Sequence, residues 1–248
     1  MNVLVLSLLG LGVIGLAVRS RWTRHYRLER HRRPPGDVAW ICIDIGGHRG
    51  QTSLPALRSG LFQRLHVFEP VPELADVISR RLSALGKTTT DWTVHAKALG
   101  AGDGEAVLYM PGTQSGTIYG NRWSEEPASI TVPKCDTGRW FKEHLPEEAR
   151  IFLKINCEGG EVEILDSLAK SKQLKRITLL MVDFDVRRLF GRADERERLL
   201  KLLQDHQVDV IDPRYVERWP LETNYLGGLR ARKWLREIVK RYLPASSD

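Results

Sequence analysis

From residue 38 onward, short apolar runs rich in β-branched residues alternate with amphipathic segments of helical period. This alternation limits what the chain can become more than any other feature. VAWICIDI (38–45), RLHVFE (64–69), DWTVHA (91–96), IFLKINC (151–157), RITLLMVDF (176–184) and QVDVI (207–211) read as strands. Between them, SLPALRSG (53–60), PELADVISRRLSAL (72–85), TGRWFKEHLPEE (137–148), GEVEILDSLAK (160–170) and ADERERLLKLLQDH (193–206) read as helices. Ser53 is the expected N-cap of the first helix. The second carries Leu74, Val77, Ile78, Leu82 and Leu85 on one face. Strands this apolar need cover on both sides, so the expected fold is α/β: a mostly parallel sheet with helices on both faces. EAVLYMP (105–111) follows GAGDG and reads as a hairpin arm instead. The 248 residues suffice for one sizeable domain with appendages.

In such a sheet, ligands bind at the carboxyl ends of the strands, near the point where strand order reverses. The first strand ends there in Asp44, followed by Gly46, Gly47, His48 and Gly50. A dinucleotide fingerprint would need glycine where His48 stands. Asp44 at the strand end would repel a pyrophosphate and suits ammonium or hydroxyl groups. Glu69 ends the second strand, where a carboxylate can accept hydrogen bonds from both hydroxyls of a ribose. The ligand implied is a nucleoside with a cationic amino-acid tail and no phosphates, a description that S-adenosylmethionine fits. The plain alternative is a loop whose glycines only turn the chain.

Four stretches, IDIGGHRGQTS, VFEPVPEL, KALG followed by SGTIYG, and LKINCEGGEVEIL, lie in this order between Ile43 and Leu165. With them the chain resembles the FkbM-type S-adenosylmethionine-dependent methyltransferases. The resemblance implies a class I Rossmann-like fold and O-methylation, often of a sugar or polyketide hydroxyl. It implies cofactor contacts from Asp44, Gly46, Gly47, His48, Gly50, Glu69, Leu99 and Asn156. Two departures are plain. The family usually has Gly-Ala-Asn in the loop, where this chain has Gly46, Gly47 and His48. It usually has Asp where this chain has Asn156, which cannot serve as a base.

Methyl transfer to a hydroxyl needs alignment of donor and acceptor, and removal of a proton by a nearby His, Asp or Glu. Glu158, just past the strand that ends near residue 156, is the first candidate base. Asp183 and His48 are the others. Glu158 can equally be a helix N-terminal carboxylate that stabilises the dipole. Lys154 is either an ion-pair partner or the group that lowers an acidic neighbour's pKa. His95, on a strand, reads as a core histidine. No stretch has metal-ligand spacing, so no metal is expected. Asp183 and Asp185 form a D-x-D after an apolar strand, which keeps a membrane-anchored glycosyltransferase as the runner-up. Asn156 keeps a third reading open, a catalytically inactive membrane-tethered binding module. Cys42, Cys135 and Cys157 form no CxxC pair and read as reduced, small hydrophobes.

Residues 1–18 carry no charged side chain and would span about 27 Å as a helix, close to a bilayer core. Basic residues follow the run, and no A-x-A site precedes them. An uncleaved transmembrane anchor is therefore expected rather than a signal peptide. Residues 19–33 hold seven Arg and one Glu, which supplies nearly all of the formal charge of +7. The basicity is thus a local block, not a nucleic-acid-binding surface. It should hold the main domain on the cytoplasmic side of the membrane. Residues 19–37 form a basic juxtamembrane linker ending in RRPPGD, residues 38–228 the methyltransferase domain, and residues 229–248 a basic amphipathic helix and tail. That last helix can lie on an anionic membrane or close the sheet with a solvated basic face. The expected acceptor is a small molecule, a sugar or a lipid-linked hydroxyl.

Overall fold

A computed structural model describes residues 40–109, 117–118, 128–185, 194–208 and 210–211. Six strands form the main sheet: β1 (Trp40–Ile45), β2 (Arg64–Phe68), β3 (Asp91–His95), β7 (Arg150–Ile155), β8 (Ile177–Val182) and β9 (Val210–Ile211). They lie in the order β3-β2-β1-β7-β8-β9, and every pairing is parallel. The chain runs outward from β1 to β3, then returns to the other side of β1 at β7. The switch point is therefore the gap between the carboxyl ends of β1 and β7.

Every residue of β1 is buried, as a central strand covered on both faces requires. Its side chains alternate between two cores. Ile41, Ile43 and Ile45 join Leu153, Ile155, Trp140, Phe141 and Leu165 in one. Trp40 and Cys42 join Phe152, Leu65, Val67, Leu57 and Ile78 in the other. Helices α3 (Thr137–His144), α4 (Glu161–Lys170) and α5 (Glu195–Asp205) cover the first face. Helices α1 (Ser53–Ser59) and α2 (Pro72–Ser83) cover the second. The expected α/β architecture is thus present.

A second, three-stranded sheet was only half foreseen. It contains β4 (Ala98–Gly100), β5 (Gly104–Tyr109) and β6 (Ser129–Asp136), in the order β4-β6-β5. The expected hairpin arm at 105–111 is β5, and its antiparallel partner is β6. Pro133 hid β6 in the sequence, because proline disfavours a strand with neighbours on both sides. The short β4 pairs only with Lys134, Cys135 and Asp136, so it ends before reaching Pro133.

Two further expectations are corrected. Ser53 is the first helical residue of α1 and not its cap; Thr52 occupies the N-cap, and the Ser53 hydroxyl donates instead to Asp44. Helix α3 stops at His144 rather than near residue 148, because Leu145 precedes Pro146 and takes an extended conformation. Among the described residues no helix is long and apolar enough to cross a membrane. The expected anchor at 1–18, the linker at 19–37 and the basic helix at 229–243 lie outside the described residues.

Candidate functional site

The glycine loop closes directly on its neighbours. The amides of Gly46 and Gly47 both donate to the Phe68 carbonyl at the end of β2, at 2.9 and 3.1 Å. On the other side, the Asn156 amide donates to Ile45 O at 3.0 Å. Gly46 has φ +82°, and a Cβ there would overlap the Asn156 carbonyl. Only glycine fits so close to the end of β7. A Cβ on Gly47 would collide with Val67 and Ile78. Gly50 also has positive φ and turns the chain into α1.

Glu69 is nearly buried, and both of its oxygens receive backbone amides: His48 N at 2.7 Å and Val71 N at 3.0 Å. Burial pushes its pKa up, and these two bonds oppose the shift. Each carboxylate oxygen has a second lone pair, so the group can accept further hydrogen bonds from a ligand. His48 is held further by Gln51, whose Nε2 lies 3.1 Å from His48 Nδ1. Arg81 of α2 donates to the Arg49 carbonyl at 2.8 Å. The loop is thus pinned from β2, α2 and β7.

Beneath it lies a buried ion pair. Asp44 is fully buried, with Lys154 Nζ 2.9 Å from Oδ1 and the Ser53 hydroxyl 2.5 Å from Oδ2. The same ammonium donates to the carbonyls of Gly46 (2.7 Å) and Ile45 (3.3 Å). Both candidates are therefore engaged in supporting the loop from below. Lys154 forms the ion pair with Asp44, and its charge also opposes the upward shift of the Glu69 pKa.

At the end of β7 the chain turns through Cys157, Glu158, Gly159 and Gly160 into α4. Glu158 is half-buried and has φ +50°. The Thr117 hydroxyl donates to its carbonyl at 2.6 Å, and the Gly159 amide donates to the carboxylate of Glu161 at 2.8 Å. Sequence reasoning missed Glu161, which is fully buried. The signal was available: an acidic residue in the first turn of a helix, two places past the first of paired glycines, can cap the preceding amide. Asn156 is exposed beside this turn. Asp183, at the end of β8, is half-buried, and its amide donates to Ile155 O at 3.0 Å. Its partner in the D-x-D, Asp185, is buried. Among the described residues no group of three His, Cys, Asp or Glu could hold a metal ion.

A cavity of about 260 Å³ opens beside Gly46. Ile45, Phe68, Pro70 and Cys157 line it from the main-sheet side, and Leu99, Leu108, Tyr109 and Val132 from the small sheet. Its walls are mostly apolar, which suits a flat aromatic base. The Cys157 thiol is pushed well up by burial and is not poised as a nucleophile. Of the expected site residues, Gly46 and Leu99 line this cavity; Glu69 caps the glycine loop at the end of β2, and Asn156, Glu158 and Asp183 lie at the adjoining strand ends. His95, half-buried, stacks on Phe68 at 4.4 Å, behind the cavity wall.

Residues 44–207 match the family model described as the methyltransferase FkbM domain. Among solved structures, the chain is similar to a crystal structure of methyltransferase FkbM from Methylobacillus flagellatus KT, at 15% identity and a TM-score of 0.44. That similarity covers 68% of this chain and 38% of the other, so this chain spans well under half of that relative's length. No curated protein matches the chain.

Proposed function

This chain belongs to the FkbM methyltransferase family, and we propose that it is an S-adenosylmethionine-dependent enzyme that methylates a hydroxyl oxygen of a sugar, glycolipid or related acceptor. The observation that carries the reading is the Glu69 carboxylate, which clamps the glycine loop through His48 N at the carboxyl end of β2, the strand next to β1. A carboxylate so placed suits two ribose hydroxyls and disfavours a phosphate. Gly46 and Gly47 let the loop pack closely on Asn156, Val67 and Ile78, where a Cβ would not fit. Leu99 and Pro70 offer apolar walls for a base. Glu69, Glu158 and Asp183 make the strand ends acidic, which suits a cationic ligand. Bound there, the cofactor supplies a methyl carbon already activated by its sulfonium.

The chain's own residues then have two tasks. The first is alignment, supplied by a loop that Lys154, Glu69 and Arg81 hold still. The second is removal of the acceptor proton. Glu158 is the first candidate base, and Asp183 and His48 are the alternatives. Residues 1–18 and 19–33 support a single-pass anchor with the domain facing the cytoplasm, where lipid-linked hydroxyls are within reach.

Calorimetry with S-adenosylmethionine and S-adenosylhomocysteine tests the cofactor, and a screen of hydroxylated sugars and lipids tests the acceptor. Binding of both ligands, with Glu158→Gln sparing the affinity for S-adenosylhomocysteine and lowering turnover, is the expected result. Manganese-dependent binding of a UDP-sugar that is lost in Asp183→Asn would replace this reading with glycosyl transfer. Cofactor binding without turnover on any acceptor would favour the inactive binding module.

A further inference from the structure

Four non-glycine residues among those described have positive φ: His48, Glu158, Lys172 and Gln207. Lys172 and Gln207 each follow the C-cap of a helix, α4 and α5, where a left-handed residue is the ordinary way to stop. His48 and Glu158 end no helix. They lie past the carboxyl ends of β1 and β7, the two strands that flank the switch point. Side chains other than glycine adopt this conformation at a cost, and outliers that neighbours hold in place gather at functional sites.

Glu158 is held from both sides. Its carbonyl accepts the fully buried Thr117 hydroxyl at 2.6 Å. The next amide, that of Gly159, is taken by the buried Glu161 carboxylate at 2.8 Å. Thr117 is itself fixed, because its amide and carbonyl pair with the carbonyl and amide of Tyr109 at 3.0 and 2.8 Å. Tyr109 and Ile118 line the cavity. A single hydroxyl thus fastens the small sheet, one wall of the cavity, to the backbone of Glu158. Glycines follow at 159 and 160, yet position 158 keeps a carboxylate where a glycine would sit more easily.

We propose that Thr117 is a positioning residue: it holds the left-handed backbone of Glu158 so that the Glu158 carboxylate faces the cationic methyl donor at the end of β7. This rests on the S-adenosylmethionine reading above. A carboxylate so directed favours the sulfonium over the neutral thioether left after transfer. The preference for S-adenosylmethionine over S-adenosylhomocysteine therefore depends on both residues.

The test uses the full chain and both ligands. Calorimetry on Glu158→Gln and Thr117→Val should show that preference reduced by about three- to tenfold, while Thr117→Ser, which keeps the hydroxyl, retains it. In thermal unfolding without ligand, Glu158→Gly should melt above Glu158→Ala by about 2–4 °C, because only glycine relieves the left-handed strain. An unchanged ligand preference in folded Thr117→Val overturns the positioning role. So does an unchanged preference in Glu158→Gln, which decides the matter even if Thr117→Val does not fold. A Glu158→Gly midpoint no higher than that of Glu158→Ala removes the strain on which the inference is built. Failure of the wild-type protein to bind either ligand overturns the cofactor reading itself, and is distinct from binding without discrimination.

Discussion

Lys154 and Glu69 bind the same loop from opposite sides, and substituting them should have different consequences. Lys154 and Asp44 are both removed from water, so taking away one charge strands the other. Lys154→Met should destabilise the fold by about 3–5 kcal/mol in urea titrations, with part of the loss recovered in the double variant with Asp44→Leu. Glu69 caps the loop from the end of β2. Glu69→Ala removes the acceptor for His48 N and Val71 N, and should weaken S-adenosylhomocysteine binding by about 1.5–3 kcal/mol in calorimetry. Unchanged affinity would place the ribose elsewhere. Gly46→Ala should fail more severely than Gly50→Ala, although both positions have positive φ. Only Gly46 also faces an overlapping backbone carbonyl, while a Cβ on Gly50 meets Leu54 at an ordinary 3.5 Å.

At the scale of elements, strands β2 and β3 pack against α3 through an unusual group of rings. His66 and His95 approach at 3.4 Å between ring nitrogens, with Trp140 edge-on to both and stacked on His144. Burial is the main cause that lowers both His66 and His95 from 6.5 to about 4, with neighbouring positive charges adding to it. The folded protein keeps these rings neutral in a range where the unfolded chain binds protons. Their contribution to stability is full above pH 6.5 and is lost as pH falls from about 6.5 towards 4. Glu69, raised by burial, acts in the opposite sense. Comparing the pH slope of urea stability with that of His66→Gln/His95→Gln isolates the histidines. The wild-type protein should lose on the order of 2 kcal/mol more across this window, after allowing for solvent screening of half-buried rings. Equal slopes would mean that the rings titrate normally.

For the molecule as a whole, β1 sits at the middle of the sheet and the chain enters it at Trp40. The crevice lies at the other end of the same strand, about 20 Å away at roughly 3.3 Å per residue. Under the proposed anchoring, a tether upstream of Trp40 would hold the sheet by the end remote from the crevice. Deleting residues 1–18 should release the protein from membranes in flotation assays and leave its affinity for S-adenosylhomocysteine unchanged. Protease treatment of sealed vesicles should digest the main domain from the cytoplasmic side only. A mature N-terminus near Arg19, or protection within the opposite compartment, would overturn the anchor.

Periodicity was enough to determine the alternation of strands and helices, because each apolar stripe has to be buried and repeated β–α units leave few ways to bury it. Motif spacing also brought out the glycine loop and Glu69, since both follow the ends of strands that periodicity already marks. Contacts between distant segments were not legible. Strand β6 was hidden by Pro133, which is tolerated only because β4 stops short of it. Ser53 left its expected capping role because folding brings Asp44 within 2.5 Å of its hydroxyl. Lys154 became a support for the loop because parallel pairing places it beside Asp44. Thr117 gained a role at Glu158 across 41 residues of sequence. Local pattern is set by each segment's own burial and backbone preferences. Which polar groups meet beneath and beside the crevice depends on strand order, and that order is decided only when the whole sheet assembles.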